Sequence, residues 1–528
     1  MQHPDEPLDL PHDLIRSQLD RMLGHEEFIA TDKMRDFLRF VVEETLAGNA
    51  RHLKGFTIAM AVFGRDQDFD PAHDPVVRIQ AGRLRRAIER YYLVAGADDP
   101  VHIDIPKGSY VPVFSTPEAN EEPPAAVSLS VNGDWPSILL LPFDDMTGSP
   151  ELAYLGPGLA TELCMELGSC SDLRVMLSHD QLPGTPESTA TPDFVVRGSV
   201  RLQDSEIKVV VQLARAATGE QLWVDSLKTS VHDKSLLTFQ ERAAAAICAH
   251  IAGEHGVIFR ALSAGAEGRA TAETSSYQAI LKGYSYHQKV DRESWEMAFH
   301  ALHEAHRRDP GCGLVCTMLS VLYLDNLSME LADPALTPLA EALHLAREGA
   351  RLEPRNQFCR LVLARAHLLE NNLEAGLQEA DAALALHPDS LLFMDAIGYL
   401  LALLGDWERG EAMIRKAVRL NPYYRVFTRY ATWLNAFRKE DYAQALEETE
   451  WLQGVAYFWD PLARAATLVR LGRQADSEAA VQELLALKPD FPQRGRALIS
   501  QYVKPPELQD RLVESLAEAG LSLENAAD

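Results

Sequence analysis

The 528-residue chain has few features of a secreted, membrane-spanning or metal-binding protein. It contains only six cysteines, and because no two of them form a CxxC pair, buried thiols suit the spacings better than a zinc site. The sequence also lacks a signal-peptide pattern and any run of about 18 uncharged apolar residues. We therefore expect a cytoplasmic protein with reduced thiols, no membrane span, no metal and no cofactor.

Catalytic signatures are equally scarce. HExxH, GxSxG and a complete P-loop are missing. Gly156-Pro157-Gly158 is similar to part of a phosphate loop, but position 161 is Thr161 and no Lys-Ser/Thr pair follows, which favours the start of a helix. Asp144-Asp145 is faintly similar to the metal-binding strand of class III nucleotide cyclases. A second metal carboxylate and purine-selecting residues are not found, which favours a polar turn. We predict no catalytic residues and no enzyme activity.

Positive charge is in short supply, with 50 Lys and Arg against 77 Asp and Glu and a net charge of −27. The first domain is close to neutral, because residues 11–115 hold 14 Lys and Arg and 16 Asp and Glu. Charges act over a screening length of ~10 Å, so a local basic face can still bind a polyanion.

Such a basic face is predicted between residues 76 and 95, where five Arg accompany one acid, Glu89. At 100° per residue, one side of this helix is apolar and predicted to be buried. Its members are Val77, Ala81, Leu84, Ile88 and Tyr92. Arg83, Arg86 and Arg90 lie on the opposite side with Ile79, whereas Arg78 and Arg85 lie on one flank.

A β-hairpin is predicted directly after the helix. Val101, Ile103 and Ile105 alternate with polar residues, and Pro106-Lys107-Gly108 has the composition of a turn. A basic helix followed by a hairpin predicts binding to double-stranded DNA, with the helix in the major groove and the turn at a phosphate. The predicted DNA-binding residues are Arg78, Ile79, Arg83, Arg85, Arg86, Arg90 and Lys107. The alternative is a solvated charged face on an ordinary core helix.

These segments resemble the C-terminal winged-helix domain of OmpR/PhoB-type response regulators. Residues 83–86, RLRR, match the basic recognition helix, and Gly108 and Tyr110 match the wing, with Ser109 replacing the usual second glycine. The family's initial sheet and receiver domain are not visible, so no phosphoacceptor site is implied. Helices are predicted instead around residues 14–23, over 31–47 with Thr31 as N-cap, and over 57–63 with Gly64 as terminator.

A linker rich in Pro, Glu, Ser and Ala is predicted over residues 116–136, because this composition cannot build a core. Residues 137–264 then alternate between strands and helices, which predicts an α/β sandwich. Strands are expected at 138–142, 173–177, 193–201, 206–214 and 221–225, with helices from about 158 and over 235–258. The phrases LPFDDMTG, YLGPGLATEL, VRGSVR and VQLARAATGEQLW resemble TolB-like N-terminal domains.

Prolines recur at a period of 34 residues, at Pro354, Pro388 and Pro422, each after the end of a predicted helix. This period is the signature of tetratricopeptide repeats. We predict about six repeats over residues 276–516, stacked into an all-α solenoid with a concave groove. Aromatic residues such as Tyr286 and Trp433 are expected mainly as core fillers between helices.

The predicted fold class is multidomain α+β, with an N-terminal winged helix, a central α/β sandwich and a C-terminal tetratricopeptide solenoid. We interpret the chain as a DNA-binding transcriptional regulator. Its partners would be double-stranded DNA and a protein or peptide in the repeat groove, and a homodimer would place two winged helices on paired half-sites. Two alternatives stay open: a repeat scaffold without DNA binding, and a relative of adenylate cyclases that lacks a catalytic domain.

Overall fold

A computed structural model describes most of the chain. The described residues are 11–64 without 26, 27, 29 and 31; 77, 80, 81, 84, 85, 87, 88, 91, 92, 95 and 96; 99–106; 109–116; 135–170; 172–178; 192–231; 236–253; 256–263; 275–421; 424–452; and 457–524. Two compact units divide the chain, one over residues 1–125 with 453–456 and one over the rest.

Three helices open the first unit: α1 (His12–Gly24), α2 (Asp32–Leu46) and α3 (Gly55–Phe63). They confirm the three predicted helices. Gly64 ends α3 in the left-handed conformation, with φ 63°, which glycine adopts without a steric penalty. The predicted N-cap Thr31 lies outside the described residues.

The predicted buried stripe is confirmed. All five of its residues are helical, and each is at most 9% exposed. The hairpin is confirmed as well, with β1 (His102–Asp104) antiparallel to β2 (Val113–Ser115). Tyr92 ties the helix to the hairpin, because its hydroxyl donates to the Val101 carbonyl at 3.1 Å and accepts from the Ile103 amide at 2.8 Å.

The second unit begins with a mixed sheet. Its strands are β3 (Ser137–Leu140), β4 (Asp144–Met146), β5 (Arg174–Leu177), β6 (Phe194–Gln203), β7 (Glu206–Arg215) and β8 (Gln221–Ser230). They lie in the order β5-β3-β6-β7-β8, and β4 pairs with the second half of β6. The helices are α4 (Leu155–Leu167), α5 (Leu236–Ile251) and α6 (Val257–Ser263). Helix α4 packs against α5 and contacts the sheet.

Three local predictions for this domain were wrong. Asp144 and Asp145 lie on a short strand and not in a turn. Strand β8 runs five residues beyond its predicted end, because it pairs with β7 along its length. The single helix predicted over 235–258 is two helices, since Gly253 adopts φ +75°, a conformation that stops an α-helix.

In the described residues from 275 onwards, fourteen α-helices follow, arranged as antiparallel pairs. They are α7 (Ser276–Lys289), α8 (Arg292–Arg308), α9 (Gly313–Met329), α10 (Leu339–Leu352), α11 (Gln357–Leu369), α12 (Leu373–Leu386), α13 (Met394–Leu403), α14 (Trp407–Leu420), α15 (Arg429–Arg438), α16 (Tyr442–Glu450), α17 (Trp459–Arg470), α18 (Gln474–Leu487), α19 (Phe491–Tyr502) and α20 (Pro506–Glu518). Six tightly packed pairs, α7–α8 to α17–α18, confirm the prediction of about six helical repeats.

Small residues set the spacing within the pairs. Gly398 of α13 and Gly410 of α14 approach so closely that a Cβ on Gly410 would lie 2.4 Å from the Gly398 carbonyl oxygen. Gly405 makes the turn between these two helices with φ +111°. Gly398 and Gly410 therefore occupy positions where a larger side chain would separate the two helices.

The α/β domain and the repeats share one continuous hydrophobic core. At their junction, the Tyr284 hydroxyl of α7 donates to Asp172 at 3.0 Å. Ala249 of α5 packs with Met394 and Ala417 of the repeats. The two predicted domains thus form a single compact body, which the sequence boundaries at 264 and 276 did not indicate.

Candidate functional site: the inner face of the helical repeats

The predicted DNA-binding face can be located only at Arg85. Its guanidinium donates to the carbonyls of Ile105, Pro106 and Ser109, at distances of 2.7 to 3.2 Å. Burial lowers the pKa of Arg85, and the side chain is half-buried. Arg85 therefore holds the hairpin turn against the helix. The other predicted contacts, Arg78, Ile79, Arg83, Arg86, Arg90 and Lys107, lie outside the described residues and stay predictions.

The glycine motif at the start of α4 serves helix packing. A Cβ on Gly156 would lie 2.5 Å from the Phe143 carbonyl oxygen, and one on Gly158 would lie 2.2 Å from the Gln240 amide nitrogen. Gln240 of α5 donates to the Leu155 carbonyl at 3.1 Å and so closes the first turn of α4. This turn is filled by protein side chains, so its glycines are explained without a phosphate.

Neither a metal site nor a membrane helix is found in the described residues. No three His, Cys, Asp or Glu side chains there are grouped as metal ligands. None of the helices described there is long and apolar enough to cross a membrane.

The first helices of the repeat pairs form an inner layer. Successive first helices, α7, α9, α11, α13 and α15, pack against one another as well as against their own partners. Helix α9 is buried on nearly every side, whereas second helices such as α14 have one buried and one charged face. Burying a polar group in this inner layer therefore costs free energy of desolvation.

An ion pair lies at the centre of this layer. Arg365 of α11 contacts Asp325 of α9 at 2.7 Å, and the Tyr286 hydroxyl of α7 donates to the other Asp325 oxygen at 3.1 Å. Burial opposes the charge of Arg365, but its contacts with Tyr502 and Asp325 outweigh that effect and raise its pKa. The Arg365 side chain nevertheless keeps 21% of its surface exposed, so the ion pair can be reached from solvent.

Five tyrosines lie at or next to this ion pair, and Tyr430 joins the group through Tyr399 and Tyr457. Burial is the main cause that raises the pKa of Tyr286, Tyr399, Tyr430 and Tyr457, and their proximity to one another adds to it. We refer to these residues with Arg365 as the tyrosine cluster: Tyr286, Tyr399, Tyr430, Tyr457 and Tyr502. The raised pKa values of Tyr286, Tyr399, Tyr430 and Tyr457 keep these phenols protonated, so each of the four hydroxyls retains a proton to donate.

Tyr430 differs from its neighbours because its hydroxyl is buried and has no hydrogen-bond partner. The side chain is 7% exposed and lies edge-on to Tyr457, with ring centroids 6.4 Å apart. Asp460 lies close enough to raise the pKa of Tyr430 further, after burial itself. A buried hydroxyl without a partner costs roughly 1–3 kcal/mol, so an acceptor within reach of Tyr430 would recover that free energy.

Little in the sequence points to this cluster. The sequence predicts Tyr286 as a core filler, and Tyr286 is fully buried, but its hydroxyl also makes a polar contact with Asp325. Arg365 has the appearance of an ordinary surface arginine on a helix, and nothing local distinguishes it. Tyr399 and Tyr430 fall on neighbouring first helices, but the 34-residue period does not relate their positions.

Comparison with known proteins gives distant similarities. No protein-family profile matches the chain. The chain is 25% identical over 276 residues to "Putative adenylate cyclase 3" of Rhizobium meliloti (strain 1021), which covers 49% of this chain and 44% of that protein. It therefore spans less than half of that relative. Among solved structures, it is similar to a chain of "Crystal structure of APC/C hetero-tetramer Cut9-Hcn1", with a TM-score of 0.36, 13% identity, and coverage of 54% of this chain and 52% of that one.

Proposed function

We propose that this chain is a non-enzymatic scaffold whose helical repeats hold a segment of a partner protein on their inner face. The observation that carries the proposal is the buried, unpaired hydroxyl of Tyr430 within the tyrosine cluster. Tyrosine combines an apolar ring with a polar hydroxyl, and it is typical of protein-binding hot spots. Stacked helix pairs provide a continuous surface long enough for a peptide segment.

The charges of the cluster favour a segment that contributes backbone or neutral polar groups. Asp325 already neutralises Arg365, and Arg464 contacts Asp460 at 3.2 Å. The hydroxyls that surround these pairs are donors. A peptide carbonyl could accept from Tyr430 without adding an unpaired charge to a desolvated site.

The test is a selection of displayed peptides on the immobilised full chain, followed by calorimetric titration of the best binder. Tyr430→Phe removes only the hydroxyl, and we expect about 5–10-fold weaker binding, the value of one neutral hydrogen bond. Tyr442→Phe is the matched control, because Tyr442 lies on the second helix α16. Equal affinity of wild type and Tyr430→Phe would remove the cluster from the binding site.

A second candidate is DNA binding by the first unit, as part of a transcriptional regulator. It is supported by the confirmed buried stripe and hairpin, because the helical spacing of the sequence assigns Arg83, Arg86 and Arg90 to the side opposite that stripe. The test is a mobility shift on genomic fragments at several salt concentrations. Arg86→Ala with Arg90→Ala is expected to weaken binding and flatten its salt dependence. Unchanged binding would exclude this face.

Cyclase activity is a separate question raised by the name of the relative. We infer that the part shared with it is not catalytic, since the chain spans 44% of that protein and the sequence carries no complete set of cyclase residues. Incubation of the full chain with ATP and Mn²⁺ is expected to give no cyclic AMP. Formation of cyclic AMP above a heat-treated control would refute the scaffold proposal as stated.

A further inference from the structure

The C-terminal part of the repeats folds back onto helices that precede it by more than 130 positions. Lys488 and Arg494 both form ion pairs with Glu330, which follows the end of α9. Gln501 donates to the Leu327 carbonyl at 3.2 Å. Residues 488–502, which we refer to as the C-terminal closure, therefore contact the second repeat pair directly.

The same segment reaches the tyrosine cluster. The hydroxyls of Ser328 and Tyr502 lie 2.7 Å apart and share a hydrogen bond. Arg365 donates to the Tyr502 hydroxyl at 3.0 Å. Because Tyr502 is 8% exposed, it lies inside the cluster and covers part of the inner layer.

Simple stacking does not require these contacts. In a helical repeat array each pair packs on its neighbours, and contacts across several pairs are extra. The contact at Glu330 brings two cations onto a carboxylate that is 10% exposed. The free energy of attraction within such an ion pair is offset by the cost of desolvating its charges. The ion pairs at Glu330 therefore contribute little to the net stability of the closed arrangement.

We propose that the C-terminal closure is an intramolecular competitor for the inner face, which opens when a partner segment binds. The inference rests on the proposed scaffold function and adds its regulation. Tyr502 occupies the Arg365 and Ser328 contacts in the closed form, and a partner segment replaces it there. Because only open molecules bind the partner, the apparent affinity falls in proportion to the open fraction. If one molecule in ten is open, the apparent affinity is about tenfold weaker than that of the open form.

The closure is tested by hydrogen exchange of the full chain, which needs no ligand. Glu330→Gln with Tyr502→Phe removes the ion pairs and the shared hydroxyl but keeps both side-chain shapes. We expect exchange in residues 491–502 to rise about tenfold or more, with exchange in the distant sheet unchanged. Glu304→Gln is the matched control, since it removes an exposed ion pair to Arg307 on α8. Unchanged exchange in residues 491–502 of the double variant would overturn the proposal.

A second variant and a second readout keep the test decisive. If the double variant does not fold, Lys488→Met is used in its place, because it removes one cation of the pair and retains a similar side chain. The peptide selected on wild type is expected to bind the opened variant about tenfold more tightly. Faster exchange with equal or weaker peptide binding would overturn the competition. If exchange is faster but no peptide can be selected on the chain, the C-terminal closure does open, and the proposed scaffold function is refuted.

Discussion

Glu166 is expected to make the junction between the α/β domain and the repeats sensitive to pH. It lies on α4, half-buried, with its Oε2 atom without a hydrogen-bond partner. The pKa of Glu166 is raised from 4.5 to about 7, mainly by burial; a hydrogen bond with Ser390 opposes this shift, and the negative charges of Glu162 and Asp389 add to it. Lys416 pairs with Asp389 at 3.0 Å and partly balances that charge.

The sign follows from proton linkage. The pKa of Glu166 is higher in the folded chain than in the unfolded chain, so the folded state binds the proton more tightly. The resulting stability is fully present below pH 4.5 and is lost as pH rises through about 7. The complete shift corresponds to about 3 kcal/mol as an upper bound. Because the side chain is partly exposed, solvent screening reduces this to roughly 1–2 kcal/mol.

The perturbation is Glu166→Gln, which keeps the shape and removes the titration. At pH 8 we expect the variant to be about 1–2 kcal/mol more stable than wild type, which is a rise in melting temperature of about 2–4 °C per kcal/mol. The difference should shrink towards zero as pH falls to 4.5. Calorimetric melts of both proteins from pH 4.5 to 8 measure it, with the exposed Glu151→Gln as control. A stability difference that does not change with pH would refute the reasoning.

Three further substitutions test individual contacts by thermal melts. Gly198→Ala is expected to destabilise the α/β domain by about 1–3 kcal/mol, because the added Cβ would lie 2.3 Å from the Phe143 ring; an unchanged melt would show that β6 and Phe143 adjust freely. Tyr430→Phe is expected to leave stability unchanged or raise it by up to about 1 kcal/mol, since it removes a hydroxyl that has no partner; a clear loss would reveal a hidden partner. Arg85→Ala is expected to destabilise the first unit by about 1–3 kcal/mol through its lost bonds to the hairpin carbonyls, whereas the exposed Arg39→Ala should not.

The position of the Arg85 side chain could not be predicted from the pattern of residue types. The sequence places it on the flank of a basic helix, and the helix and the hairpin were both predicted correctly. Whether an arginine on that flank faces solvent or the hairpin depends on how the two elements pack. The structure turns Arg85 onto the Ile105 carbonyl at 2.7 Å, which no spacing within the helix specifies.

The sequence by itself determined the local elements and their repetition. The 34-residue proline period and the small residues such as Gly398 predicted the helix pairs, because these features act between neighbours in the chain. Alternation of apolar residues predicted the hairpin and the sheet for the same reason. Only the tertiary structure decided how Glu330 meets Lys488, how Arg365 meets Tyr502, and how the α/β domain joins the repeats. Those contacts join residues more than 100 positions apart, and their geometry depends on the accumulated curvature of many helix pairs, which no local pattern records.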